Sequence, residues 1–222
     1  MFYGMMMETN KANYRLATEK AYEIIIYNNS SFPINLYSLK TIDYKIKIIS
    51  MQDYSKKTGV NINELTQDGL FEDGYICIEE YKRRATVIYN EDIETDTRKR
   101  FTIAHEIGHI VMHHKGYELR NEQEADTFAS QLLMPHCILE KLIHMGKNVT
   151  PQYLNRKFGL SIEAAKISLQ HVGKKMNYES QNEYEDIVIQ MNKQFLENET
   201  RSLKYSYYDE DDEMQKERDT WT

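Results

Sequence analysis

Residues 100–116 read RFTIAHEIGHIVMHHKG, and the spacing inside this stretch decides how the chain is built. Phe101, Ala104, Gly108 and Val111 recur at helical intervals and give the segment one apolar side, so it reads as a core helix. Asp96 or Thr97 can cap its start, Lys115 falls in its expected last turn and Gly116 is its expected stop. On that helix His105 and His109 stand four residues apart and project from one face, about one turn from each other. Gly108 between them costs about 1 kcal/mol of helix stability relative to Ala, which points to close packing at this spot.

Two imidazoles one turn apart can bind a single Zn²⁺. Glu106 is offset by about 100° around the helix, near enough to reach water on the ion without ligating it. Zinc lowers the pKa of water to roughly 7, and a neighbouring carboxylate can take the proton as a carbonyl is attacked. A catalytic zinc needs a third protein ligand. One arrangement puts a His six residues after the second, but that position is Lys115. A carboxylate on the next helix is the remaining option. That helix is expected from Asn121 to Met134, since Pro135 cannot continue it. Ala125, Phe128, Ala129, Leu132 and Leu133 define its inward face, with Glu122 and Asp126 four residues apart on the edge of that face. Glu124 points about 100° from its centre. Glu122 is therefore the expected third ligand and Asp126 the carboxylate that holds a ligand histidine, His105. Glu124 stays open as the alternative ligand, and a plain surface charge as the alternative for Asp126.

Upstream of this pair the chain reads differently. Ala17 to Tyr27 is an amphipathic helix that runs out at Asn28-Asn29-Ser30, and Tyr44 to Ile49 is β-rich. Tyr75 to Ile78 and Ala85 to Tyr89 flank a polar segment and predict a β-hairpin. Downstream, three shorter helices are expected: Ile138 to Met145, Pro151 to Phe158 ending at Gly159, and Ile162 to His171 ending at Gly173. Strands first and helices afterwards indicate α+β, with a small antiparallel sheet packed on the histidine helix. The expected division is a metallopeptidase-like domain over 1–145, a helical, helix-turn-helix-like part over 146–177 and an acidic, partly disordered tail over 178–222.

Length and composition fit this picture. The 222 residues weigh 26.4 kDa and are 41% hydrophobic and 28% charged, as in a folded globular chain. Mean hydropathy is −0.69 and the apolar runs are far too short to cross a bilayer, so no membrane association is expected. The start, MFYGMMMETN, lacks the features of a signal peptide. Cys77 and Cys137 occur in no paired spacing, which excludes a disulfide framework and favours the cytoplasm. The tail from Tyr178 carries 13 acidic and 5 basic residues, including Asp209 to Glu213. Such a run reads as a solvated appendage, with a decoy or autoinhibitory arm as the alternative, although Ile187, Val188, Ile189, Met191, Phe195 and Leu196 could form a helix against the body.

Three motifs in order carry a resemblance: Arg100 to His109 (RFTIAHEIGH), Glu122 to Ala129 (EQEADTFA) and Leu132 to Pro135 (LLMP). Together they resemble the ImmA/IrrE metallo-endopeptidases, more loosely over Ala17 to about Gly173. The resemblance implies a gluzincin-like zinc peptidase with His105, His109 and Glu122 as ligands and Glu106 as catalytic base. It also implies a protein substrate, a repressor of the helix-turn-helix type in mobile-element induction or stress responses. Members of the family commonly have Asn where this chain has Asp126.

Some residues carry weaker expectations. His113 continues the His105–His109 line by one turn and could line the cleft and steady an oxyanion; Tyr117 is a similar candidate, and His114 is expected to point elsewhere. The hairpin over Tyr75 to Tyr89 suits an extended substrate strand adding edgewise. Leu154 to Ala165 has a helix-turn-helix pattern within a stretch, Lys147 to Lys175, holding six basic residues and one acidic. A DNA-binding regulator is thus the rival reading, disfavoured because Ile162 to His171 offers only Lys166 as a base reader. A module that binds its repressor without cutting it is the third. Oligomeric state, scissile bond and activating signal are not written in the sequence.

Overall fold

The computed structural model describes residues 11–66, 73–116, 118–175 and 182–201. It is α+β. Helix α1 (Tyr14–Tyr27) opens on Asn13, whose side chain accepts the Leu16 N–H, and buries Ala17, Ala21, Tyr22, Ile24 and Ile25. Strand β1 (Lys45–Ser50) follows, then α2 (Met51–Thr58) and the single turn α3 (Ile62–Leu65). The hairpin forms as expected from β2 (Gly74–Glu79) and β3 (Arg84–Tyr89), which pair antiparallel. β1 joins β3 in parallel, so the sheet is mixed and runs β1-β3-β2.

Period-two patterning explains the sheet. Ile46, Ile48, Ile76, Ile78, Ala85 and Val87 face the main core, while Ile49 and Ile88 pack with Met51 under α2 on the other side. The main core is covered by α4 (Asp96–Val111) and α5 (Leu119–Leu133), which cross closely, with α1 lying along α5. Pro135 ends α5, and α6 (His136–His144) buries Cys137, Ile138, Leu139 and Leu142. Helix α7 (Pro151–Phe158), capped by Thr150, stops at left-handed Gly159. Helix α8 (Ile162–Lys175) runs past Gly173, the stop expected from the sequence, because its Val172 is buried in the core and holds that last turn. Helix α9 (Glu183–Met191) packs on α1 and α6, and residues 193–201 are helical too. The Phe32, Phe158 and Phe195 rings meet at 5.4–5.9 Å, so the apolar part of the expected tail is built into the core. The acidic run Asp209 to Glu213 lies outside the described residues, as does Tyr117. Among the described residues no helix is long and apolar enough to cross a membrane.

The end of α4 differs from the expectation in a way that shapes the site. The helix stops at Val111, before His114 and Gly116. His113 takes the left-handed conformation (φ 55°) that Gly usually supplies. The His113 N–H then bonds the Ile110 carbonyl at 3.3 Å and the His114 N–H the His109 carbonyl at 3.1 Å. These two bonds close a Schellman turn, which folds residue 114 back over the last helical turn.

Candidate metal centre

Helices α4 and α5 bring the site together because nothing separates them at Gly108. A Cβ there would lie 3.0 Å from Phe128 Cδ1 and 3.3 Å from both the Ala125 Cα and carbonyl oxygen. The inward face of α5 is as its periodicity predicts, with Ala125, Phe128, Ala129, Leu132 and Leu133 all buried. Glu122 sits in the first turn of α5, where the positive end of the helix dipole favours a carboxylate.

Three of the expected residues converge. One donor atom each from His105, His109 and Glu122 lies within 4.8 Å of the others, which makes the group one that could hold a metal ion. His105 Nε2 is 3.0 Å from His109 Nε2 and 3.2 Å from Glu122 Oε2, and His109 Nε2 is 3.6 Å from Glu122 Oε1. Ligands about 2.0–2.1 Å from a tetrahedral ion stand roughly 3.3 Å from each other, so the three separations suit a small divalent cation. Glu122 Oε1 is buried without a hydrogen-bond partner, an orphaned acceptor of the kind a cation satisfies.

Asp126 reaches the pair from outside. Its Oδ1 lies 2.9 Å from His105 Nδ1. A carboxylate only accepts, so His105 Nδ1–H donates to it and the Nε2 lone pair is turned towards His109 and Glu122.

The electrostatics favour a positive guest. Burial would depress His105, but the Asp126 hydrogen bond and the charges of Glu106, Asp126 and Glu122 outweigh it and raise its pKa. Burial, with His105 and His114 adding repulsion, drives His109 down to about 3, so this ring is neutral and able to ligate. Burial pushes Glu106 up to about 7; His105 opposes this and Glu122 adds to it. A carboxyl poised near neutrality suits proton transfer.

The remaining histidines are placed differently from the expectation. His113 leaves the helix line and meets Asp43 Oδ2 at 3.2 Å through Nε2, with the Tyr44 ring 6.0 Å away. His114, expected to point elsewhere, turns inwards. Its Nδ1 is 3.0 Å from His109 Nδ1, and its Nε2 is 2.9 Å from Glu124 Oε2. Glu124 is thus engaged by His114 rather than by the three converging donors. The sequence offered no sign of this contact, since it depends on a left-handed residue other than glycine.

Gly74 was also missed. A Cβ on it would lie 2.9 Å from Thr102 Cγ2, 3.1 Å from the Ile88 carbonyl oxygen and 3.7 Å from Glu106 Cγ. The first residue of β2, an edge of the sheet among the described residues, therefore lies directly against the Glu106 stem.

The geometry agrees with what comparison finds. The family model described as Peptidase_M78, IrrE N-terminal-like domain, matches residues 56–170, more than half of the chain and the whole of the converging group. No match is found among curated proteins.

Proposed function

The chain belongs to the IrrE N-terminal-like peptidase family, and from that membership we propose that it is a zinc-dependent endopeptidase that cuts a regulatory protein. The observation that carries this reading is the convergence of His105, His109 and Glu122 beside Glu106. His105 and His109 would ligate through Nε2 and Glu122 through its carboxylate. A zinc ion held there would supply Lewis acidity towards a peptide carbonyl and make nearby water more acidic. Glu106 takes the proton from the attacking water and returns it to the leaving amine. Asp126 keeps His105 in the ligating tautomer. The edge of β2 beside Glu106 is suited to an extended substrate segment, held by main-chain hydrogen bonds.

The resemblance to ImmA/IrrE enzymes supports a helix-turn-helix repressor as substrate. Two free thiols, Cys77 and Cys137, support a reducing, cytoplasmic setting. The DNA-binding alternative draws on α7, Gly159 (φ 71°) and α8, whose Ser161 cap accepts the Ala164 N–H. Buried Ala165, Ser168 and Val172 use one face of α8 for packing, and its exposed Glu163, Lys166, Ile167 and Gln170 include a single cation.

Co-expression with the transcription factor encoded beside it tests the proposal. Wild type should yield a discrete clipped product, and Glu106→Gln should bind the factor without cutting it. Chelation should stop cleavage and zinc restore it; cleavage that survives metal stripping overturns the reading. A salt-sensitive mobility shift by the isolated protein, with no clipping, would favour the DNA-binding alternative.

A further inference from the structure

Behind His109 lies a chain of polar groups that the peptidase reading does not use. Glu124 Oε1 accepts the Asn13 N–H at 2.7 Å, which ties this carboxylate to the first residue of α1's cap. Its other oxygen lies 2.9 Å from His114 Nε2, and His114 Nδ1 lies 3.0 Å from His109 Nδ1. The His114 and Glu124 side chains are only 6% and 12% exposed. Water therefore has little part in choosing the orientation of these bonds.

The donor roles follow by elimination. Glu124 is an acceptor only, so His114 Nε2 must donate to it. With a single ring proton, held on Nε2 by Glu124, His114 has a lone pair on Nδ1, and the 3.0 Å contact then takes its hydrogen from His109 Nδ1. His109 Nε2 is left as a lone pair directed at His105 and Glu122. The opposite tautomer, with Nε2 protonated, would face the other donors with a hydrogen and could not ligate.

We propose that His114 and Glu124 are positioning residues that lock His109 in the Nδ1–H tautomer and present its Nε2 to a divalent cation. The inference rests on the metal-site reading above and deepens it. Each ligand histidine then has its own anchor: Asp126 directly behind His105, and Glu124 behind His109 through an interposed imidazole. The Schellman turn at His113 makes the second anchor possible, because a helix continued to Gly116 would carry residue 114 away from His109.

The test uses the full chain. Zinc affinity is read by competition with a chromogenic chelator, and the ring tautomer of metal-free His109 by ¹⁵N NMR at pH 8. Circular dichroism confirms folding. In wild type the His109 proton should lie on Nδ1; finding it on Nε2 overturns the proposal without any variant. His114→Leu should weaken zinc about 10–100-fold, while His114→Asn, whose amide oxygen can accept the same bond, should stay within about threefold of wild type. Equal loss in both variants, or loss in neither, would falsify the relay. Glu124→Leu should add nothing once His114 is Leu, because it acts through that ring; additive losses overturn the series arrangement. Should wild type bind no zinc and His109→Ala change nothing, the metal reading itself fails, and the tautomer measurement still decides whether the relay exists.

Discussion

Gly108 lies so close to Phe128 that any β-carbon there would sit 3.0 Å from the ring and 3.3 Å from the Ala125 backbone. This contact sets the spacing of α4 and α5, and so the distance from the two histidines to Glu122. Gly108→Ala removes the helix penalty of glycine, about 1 kcal/mol, but must push apart a buried ring and a main chain. The overpacking should win, with a net loss of about 1–2 kcal/mol and a fall in Tm of roughly 2–8 °C. Zinc affinity should fall with it. Thermal melts and chelator competition check both, and a stabilised variant with unchanged affinity would show that the helices are not in contact here.

The carboxylates on α5 should rank by what they touch. Glu122 approaches both Nε2 atoms, Asp126 touches only His105 Nδ1 and Glu124 only His114 among the histidines. Glu122→Ala should therefore remove measurable zinc binding. Asp126→Ala and Glu124→Ala should each weaken it about 10–100-fold. Asp126→Asn keeps an acceptor for the His105 N–H and should stay close to wild type in zinc affinity. Calorimetric titration of zinc into the stripped proteins gives the order, and a Glu124 variant weaker than the Glu122 variant reverses the ligand assignment.

Gly74 gives a prediction aimed at catalysis rather than metal binding. A methyl group there meets Thr102 and the Ile88 carbonyl before it reaches Glu106, so Gly74→Ala should shift the start of β2 away from α4. The three converging donors lie on α4 and α5, outside this contact. Zinc affinity should hold while kcat/KM on the cleaved regulator falls about tenfold or more, since small displacements at a site are costly. Parallel loss of zinc would place the effect in the fold instead.

The parts of this structure legible in the sequence are those set by local periodicity. Helix α5 can be phased from its apolar Ala125, Phe128 and Leu132, and that phase alone separates Glu122 and Asp126 from Glu124. The hairpin showed itself through two short β-rich runs, β2 and β3. What stayed hidden depends on partners distant in sequence or on an unusual backbone. The parallel pairing of β1 with β3 joins Lys45 to Arg84 across a long excursion, and no local pattern specifies direction. Gly116 is the stop that composition suggests for α4, while the turn uses His113, since a left-handed residue other than Gly is uncommon. The contact between His114 and His109 inherits that invisibility.

Glu199 supplies the pH test of how the last described helix is held. Its carboxylate lies 2.6 Å from Lys157 Nζ and accepts the Tyr153 hydroxyl at 2.9 Å, while Lys147 Nζ bonds its carbonyl oxygen. Burial alone would raise this carboxyl, but the bonds from Lys157 and Tyr153 and the two lysine charges outweigh it and lower its pKa below 4.5. A carboxyl with a depressed folded-state pKa stabilises the fold above its unfolded pKa, and that contribution disappears as pH falls through the lowered value. Glu199→Gln should therefore melt below wild type at pH 7, by about 2–4 °C for roughly 1 kcal/mol of hydrogen bonds to a charged group. The gap should be unchanged at pH 6 and narrow in acid, as pH falls through the lowered value and wild type loses the charge that the variant never had. Differential scanning calorimetry across that range measures it directly. A gap that widens in acid would mean that Glu199 is held as the neutral carboxyl, and that the lysines belong to some other contact.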